Sequence, residues 1–276
     1  MKKIFFAAFA ALLCITSCTT SSELKVMSYN IRLDHSGDGE NAWPVRKEAT
    51  IEMIKDLQPD VFGVQEAYDH QVAYVTENLP VYQNVGVGRE DGVLEGEMMC
   101  IFWNSDVIEM IEWGTYWLSE TPEVPSMGWD AACYRTATWA LMKDKRTGKK
   151  FYFVNTHLDH VGKEAQKNGL ALIVDKIAEI NPDGLPMVLT GDFNVKPDNP
   201  VLKDLDARMK CTRKIAARTD NHHTFNGWGK ASKDMVIDYI YISGFSSCTE
   251  YQTVTKKYLD RTFVSDHYPI VARLIF

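Results

Sequence analysis

The segment Met187-Val188-Leu189-Thr190-Gly191-Asp192-Phe193-Asn194 decides how the rest of the chain is read. Its apolar run follows Pro186, is too short for a helix and is bounded by turn residues, so it predicts a buried strand over 187–191. Side chains two apart on an extended chain share a face, so Asp192 and Asn194 leave the strand end side by side. Asp and Asn are also common turn formers after a strand, and alone the pair would mean no more than that. Loops at strand ends of α/β proteins are nevertheless where ligands bind.

Upstream, Leu24 to Asn30 alternates, which predicts a strand with Leu24, Val26, Ser28 and Asn30 on one face. Residues 45–57 predict a helix with Val45, Ala49, Met53, Ile54 and Leu57 on its apolar face, stopped by Pro59. Val61 to Glu66 predicts a second buried strand with a carboxylate at its end. A helix over 69–79, a strand near 82–87, a turn at Arg89-Glu90-Asp91-Gly92 and a strand over 97–103 follow. Residues 113–134 carry Trp113, Trp117 and Trp129 among Pro and Gly and read as irregular. Residues 136–143 and 150–157 predict a hairpin, and 163–180 a helix. Beyond the central segment, 196–234 reads as loop with a short helix, followed by strands over 235–243, 246–254 and 268–276. Strands outnumber helices, which predicts packed sheets with helices outside.

A chain of 276 residues, 45% hydrophobic and 24% charged, suits a soluble protein with a sizeable core. Residues 1–17 predict a signal peptide: Lys2-Lys3 precede an apolar core too short to span a membrane. Ile15-Thr16-Ser17-Cys18 resembles the lipobox of bacterial lipoproteins, which implies export, acylation of Cys18 and a lipid anchor in the cell envelope. Residues 18–23 would then be a tether and 24–276 the folded domain. The net charge is −7, and losing the two leader lysines makes it more negative. Such a surface does not attract long nucleic acid non-specifically. Export permits disulfides, but the scattered Cys100, Cys133, Cys211 and Cys248 show no metal pattern and leave their pairing open. Cys100, inside an apolar run, reads as a buried thiol.

Several predicted strands end in groups able to act on a phosphate: Asn30, Glu66, His157, Asp192 with Asn194, Asp238, and Asp266-His267. Asp238 reads as a mid-strand acid, costly to bury without a partner, and His267 is a candidate for that partner. The motifs Ser28-Tyr29-Asn30, Val64-Gln65-Glu66, Asn155-Thr156-His157, Gly191-Asp192-Phe193-Asn194, Ile237-Asp238-Tyr239 and Ser265-Asp266-His267 occur in the order found in one family. With them the chain resembles the endonuclease/exonuclease/phosphatase (deoxyribonuclease I-like) superfamily from residue 24 to 276.

That resemblance implies a four-layer α/β/β/α sandwich, with two packed mixed sheets flanked by helices and the site at the rim between them. It implies a Mg²⁺ or Mn²⁺ ion held by Glu66 with Asp266 and Asn30, and an attacking water oriented or deprotonated by Asp192. By the same match Asn194 would hold that water or a phosphate oxygen, Asp238 would pair with His267, and Glu97 with His157. Many members carry an acid two residues after the first Asn, where this chain has Arg32, which weakens the case for a second metal and adds a phosphate contact. Arg89, Arg135 and His223 are further candidates for the substrate side. The function expected is hydrolysis of a small phosphate ester by a monomer. A nuclease on DNA or RNA, a sphingomyelinase-type lipid phosphodiesterase and a non-catalytic binding lipoprotein stand as alternatives.

Overall fold

The computed structural model describes residues 23–276; the signal peptide expected over 1–17 and the expected lipidation site Cys18 lie outside them. In chain order the elements are β1 (Glu23–Asn30), α1 (Trp43–Leu57), β2 (Val61–Gln65), α2 (Asp69–Asn78), β3 (Tyr82–Val85), β4 (Ile101–Asn104) and β5 (Ile108–Trp117). They continue with β6 (Thr136–Asp144), β7 (Lys150–His157), α3 (Lys163–Ile180), β8 (Met187–Asp192), α4 (Lys203–Arg208), β9 (Lys210–Cys211) and α5 (Thr212–Ile215). Strands β10 (Asp238–Ser243), β11 (Ser247–Thr253) and β12 (Ile270–Ile275) complete the chain. Two mixed six-stranded sheets result, ordered β11-β12-β1-β2-β4-β3 and β5-β6-β7-β8-β10-β9.

Alternation in β1 builds the layers. Leu24 and Val26 meet Val61, Ile101, Phe153, Val188, Ile240 and Ala272 between the sheets. Met27 and Tyr29 face the other way, into a layer with Ala49, Met53 and Ile54 of α1 and Val72 of α2. On the far side Val154 and Leu189 pack against Leu170 and Ile173 of α3. Helix, sheet, sheet and helix therefore enclose three apolar layers, the sandwich expected from the sequence.

Each sheet has one parallel pair at its heart, and that pairing positions the site. β1 runs parallel to β2 with Asn30 opposite Gln65, and β7 runs parallel to β8 with His157 opposite Asp192. β10 enters antiparallel to β8, with Asp238 opposite Asp192. Polar strand ends from both sheets thus arrive at one rim. Just beneath it Asn155 bridges the sheets: its amide donates to Val64 O and Cys100 O, and its oxygen accepts from Gln65 Nε2 at 2.6 Å. Gly63 is required there, because a Cβ would come within 2.4 Å of Asn155 Oδ1 and Thr190 Oγ1.

Several expectations need correction. The 97–103 strand begins only at Ile101; Met98 makes isolated bridges to Ala67 and Gly88, which carries Glu97 out of the ladder towards the rim. Residues 108–117, of which 113–117 were expected irregular, form the edge strand β5 paired to β6, where one exposed side blurs the apolar alternation. Asp238 opens its strand instead of sitting within it, because Met235 O is taken by the amides of Thr224 and Phe225. Val45 is exposed, and Arg46 takes the buried place on α1. Glu23, assigned to the tether, is the first residue of β1. Cys100 is buried as expected, and all four cysteines of the described residues are free thiols.

Candidate active site

Asn30 at the end of β1 joins the two carboxylates that the sheets deliver. Its Nδ2 donates to Glu66 Oε1 at 2.9 Å and to Asp192 Oδ2 at 3.0 Å. Its oxygen accepts from the Arg32 amide at 3.0 Å, while its nitrogen holds the two acids in register. Glu66 also accepts from the Leu33 amide at 3.1 Å. Arg32, Glu66 and Asn194 all have left-handed backbones, with φ of 60°, 66° and 53°. Such conformations cost a non-glycine residue free energy and gather at functional sites.

Asp192 is the hub. Its Oδ1 accepts from the Asn194 amide at 2.9 Å, while Oδ2 lies 3.5 Å from His157 Nε2 and 3.6 Å from His267 Nε2. All three side chains are buried. Burial, and after it the facing Asp238, pushes the Asp192 carboxyl up to about 7.

The two histidines are held differently. His267 Nδ1 donates to Asp238 at 2.9 Å and 3.1 Å, leaving Nε2 towards Asp192. Burial opposes its charge, but Asp238 and Asp192 outweigh burial and raise the imidazole well above its ordinary pKa. His157 receives at Nε2 a hydrogen bond of 3.0 Å from Asn194 Nδ2. The same amide nitrogen donates to Leu158 O, an obligate acceptor, so the amide orientation is settled and His157 carries its proton on Nδ1. Burial, then Arg135 and Arg89, lower its pKa well below the ordinary value.

Glu97 and His157, expected as a pair, do not hydrogen-bond: Nδ1 lies 3.9 Å from Glu97 Oε2 and is buried without a partner. Arg89 takes Glu97 instead, at 2.7 Å. Arg135 is spent similarly on Asp159 at 3.2 Å and His160 at 3.0 Å. Arg32 forks onto Asp38 at 2.9 Å and 3.0 Å while standing 3.7 Å from Asp266 and 3.9 Å from Glu66. His223 stacks on His222 and packs edge-on against Tyr268, with centroids 5.5 Å apart, beside His267 in the chain.

The donor set fits a divalent cation. Glu66, His157 and Asp192 offer ligand atoms within 4.8 Å of one another. Burial, with Glu66 adding to it against the pull of His267, keeps the Asp266 carboxyl above the usual range, a repulsion that an oxygen-seeking cation between them would relieve.

Two supports escaped the sequence reading. Arg46, completely buried on α1, donates to Ile31 O, Arg32 O and Val264 O and so holds the loops bearing Arg32 and Asp266. Its signal was a cation at helical spacing from Ala49 and Met53. Thr224 Oγ1 accepts from the amides of Ile237 and Asp238, and nothing local foretells a contact across that distance.

A solved endonuclease/exonuclease/phosphatase from Bacteroides vulgatus is 37% identical, covering 92% of this chain and 98% of its own, with a TM-score of 0.87. A mannosyl-6-phosphatase from Bacteroides thetaiotaomicron is 34% identical, covering 92% and 100%, with a TM-score of 0.88. An uncharacterised protein of Acanthamoeba polyphaga mimivirus is 26% identical over 250 residues, 83% of this chain and 91% of the viral protein. The sequence profile of the Endonuclease/Exonuclease/phosphatase family matches residues 27–267, and with these rim residues in place the chain belongs to that family.

Proposed function

We propose that the chain is a divalent-metal-dependent phosphatase of small phosphate monoesters, with hexose 6-phosphates as its substrate class. One observation carries the reading: a single Asp192 oxygen stands within 3.6 Å of both imidazole Nε2 atoms, next to Glu66. The likeness to a mannosyl-6-phosphatase over 92% of the chain favours a monoester, and the net charge of −7 disfavours a polyanion.

Glu66 and Asp266 would hold Mg²⁺ or Mn²⁺. The bound ion supplies charge neutralisation on the phosphoryl oxygens. Asn30 keeps Glu66 and Asp192 in register, and Asp192 takes the proton of the attacking water. Protonated His267 gives a hydrogen bond to the oxygen on which charge builds, with Asp238 holding its ring. Asn194 presents His157 in one tautomer.

A panel of hexose 6-phosphates, glycerol 3-phosphate, phosphodiesters, sphingomyelin and short DNA, assayed with Mg²⁺ and with chelator, tests this. Hexose 6-phosphates should lead, and chelator should abolish turnover until Mg²⁺ or Mn²⁺ is restored. Full activity in excess chelator sinks the metal reading, and a leading diester sinks the monoester one.

We also propose that Cys18 anchors the exported protein; among the described residues no helix is long and apolar enough to cross a membrane. Cys18→Ala should shift the protein from detergent phase to soluble extract, since acyl chains supply the affinity. Unchanged partitioning would place the attachment elsewhere.

A further inference from the structure

The loop beside Asp266 and His267 is tied down on every side. Asp266 O accepts from the amides of Asn226 and Gly227 at 2.7 Å and 3.0 Å, and Asn226 Nδ2 donates to Ser265 O at 3.0 Å. The Tyr268 amide donates to Thr224 O at 2.7 Å. At its tip Gly227, Trp228 and Gly229 are all left-handed, with φ of 54°, 58° and 82°. Glycine adopts this freely, whereas a tryptophan is strained by it. The glycines also leave room for rings: a Cβ on Gly229 would meet Phe263 at 3.1 Å, and one on Gly227 would meet Phe225 at 3.3 Å.

Four aromatic side chains gather around this turn. Phe225 stands edge-on to His267, with centroids 4.9 Å apart. Phe263 lies 6.0 Å from Tyr268, and Trp228 6.0 Å above Arg46, which holds the Arg32 loop. All four are half-buried, and none belongs to the three apolar layers. The core therefore does not explain them, nor the strain at Trp228. Their partners cross at 65° and 50°, forming a corner and not a parallel slot for a planar base. A corner of ring faces suits a puckered ring whose C–H bonds are electropositive, since the faces carry negative charge density.

We propose that the Gly227-Trp228-Gly229 turn, with Phe225, Phe263 and Tyr268, is the subsite that holds the pyranose ring of a hexose 6-phosphate while its phosphate lies at Asp192. The assignment rests on the phosphatase reading above.

The test compares kcat/KM for mannose 6-phosphate and for ring-less glycerol 3-phosphate in wild type, Trp228→Gly, Trp228→Phe and Phe263→Ala, all with Mg²⁺. Trp228→Gly removes the ring at a backbone that glycine accepts, so its thermal midpoint should stay near wild type. The ratio of the two kcat/KM values should fall about tenfold in Trp228→Gly, mostly through KM for the hexose ester, and recover largely in Trp228→Phe. Phe263→Ala should move it the same way, and decides the matter if Trp228→Gly fails to fold. An unchanged ratio in folded variants of a wild type that prefers the hexose ester overturns the subsite alone. A wild type without that preference overturns the substrate reading and the subsite with it.

Discussion

His267 and His157 flank one carboxylate, are equally buried, and end up in opposite states. His267 has an acid bonded directly to Nδ1, with Asp238 at 2.9 Å, and a second acid at Nε2, which together hold its charge. His157 shares Asp192 at 3.5 Å on Nε2, but its Nδ1 has only Glu97 at 3.9 Å, and that acid is already claimed by Arg89. With burial, Arg135 and Arg89 acting on it, the ring stays neutral. About one ångström and one competing guanidinium separate a cation from a neutral imidazole. The pair shows how a site obtains two histidines of different use from the same residue type.

The comparison is best broken on its stronger side. His267→Ala and Asp238→Asn should each lower kcat a hundredfold or more, because a positioned charge is lost. The double variant should be little worse than the poorer single, since the two act as a unit. Losses that multiply would mean that Asp238 does not work through His267.

A smaller effect is expected on the other arm. Glu97→Gln should lower kcat by about tenfold or less, because Glu97 does not bond His157 directly. Arg89→Met leaves the buried Glu97 unpaired, and breaking a buried pair is strongly destabilising, so its thermal midpoint should fall well before its turnover does. A hundredfold loss of kcat in Glu97→Gln with unchanged stability would show that the working enzyme closes the 3.9 Å gap.

The smallest effect concerns the prop behind Arg135. Burial raises the Asp159 carboxyl, but the amides of Gly162, Val161 and Ala132 and the Arg135 guanidinium overcome it and bring it down to about 2. A folded pKa below the unfolded one contributes stability above the unfolded value, and that contribution is lost as pH falls through the folded one. The gap in thermal midpoint between wild type and Asp159→Asn should therefore be full at pH 6 and shrink between about pH 4 and pH 2. A gap independent of pH would mean that Asp159 acts only through its shape.

Much of the architecture was legible in the sequence because it depends on local periodicity. The alternation of Leu24, Val26, Ser28 and Asn30, the strand at 187 and the helix over 163–180 each reflect which side chains share a face. The polar residues at strand ends were legible for the same reason, and the rim gathers them. The edge strand β5 was not, since an element with one wet side and one partner loses the apolar pattern that betrays a strand.

Partnership was decided only in three dimensions. From the sequence, Glu97 belongs with His157; in the fold, Arg89 reaches Glu97 first. Arg46 became a hidden prop because a helix turned its cation towards three carbonyls. The residue types and their order, and with them the family and the chemistry available, were set by the sequence itself. Which donor meets which acceptor, and hence which imidazole is charged, was set by tertiary packing, because hydrogen bonds and burial act over ångströms between residues far apart in the chain.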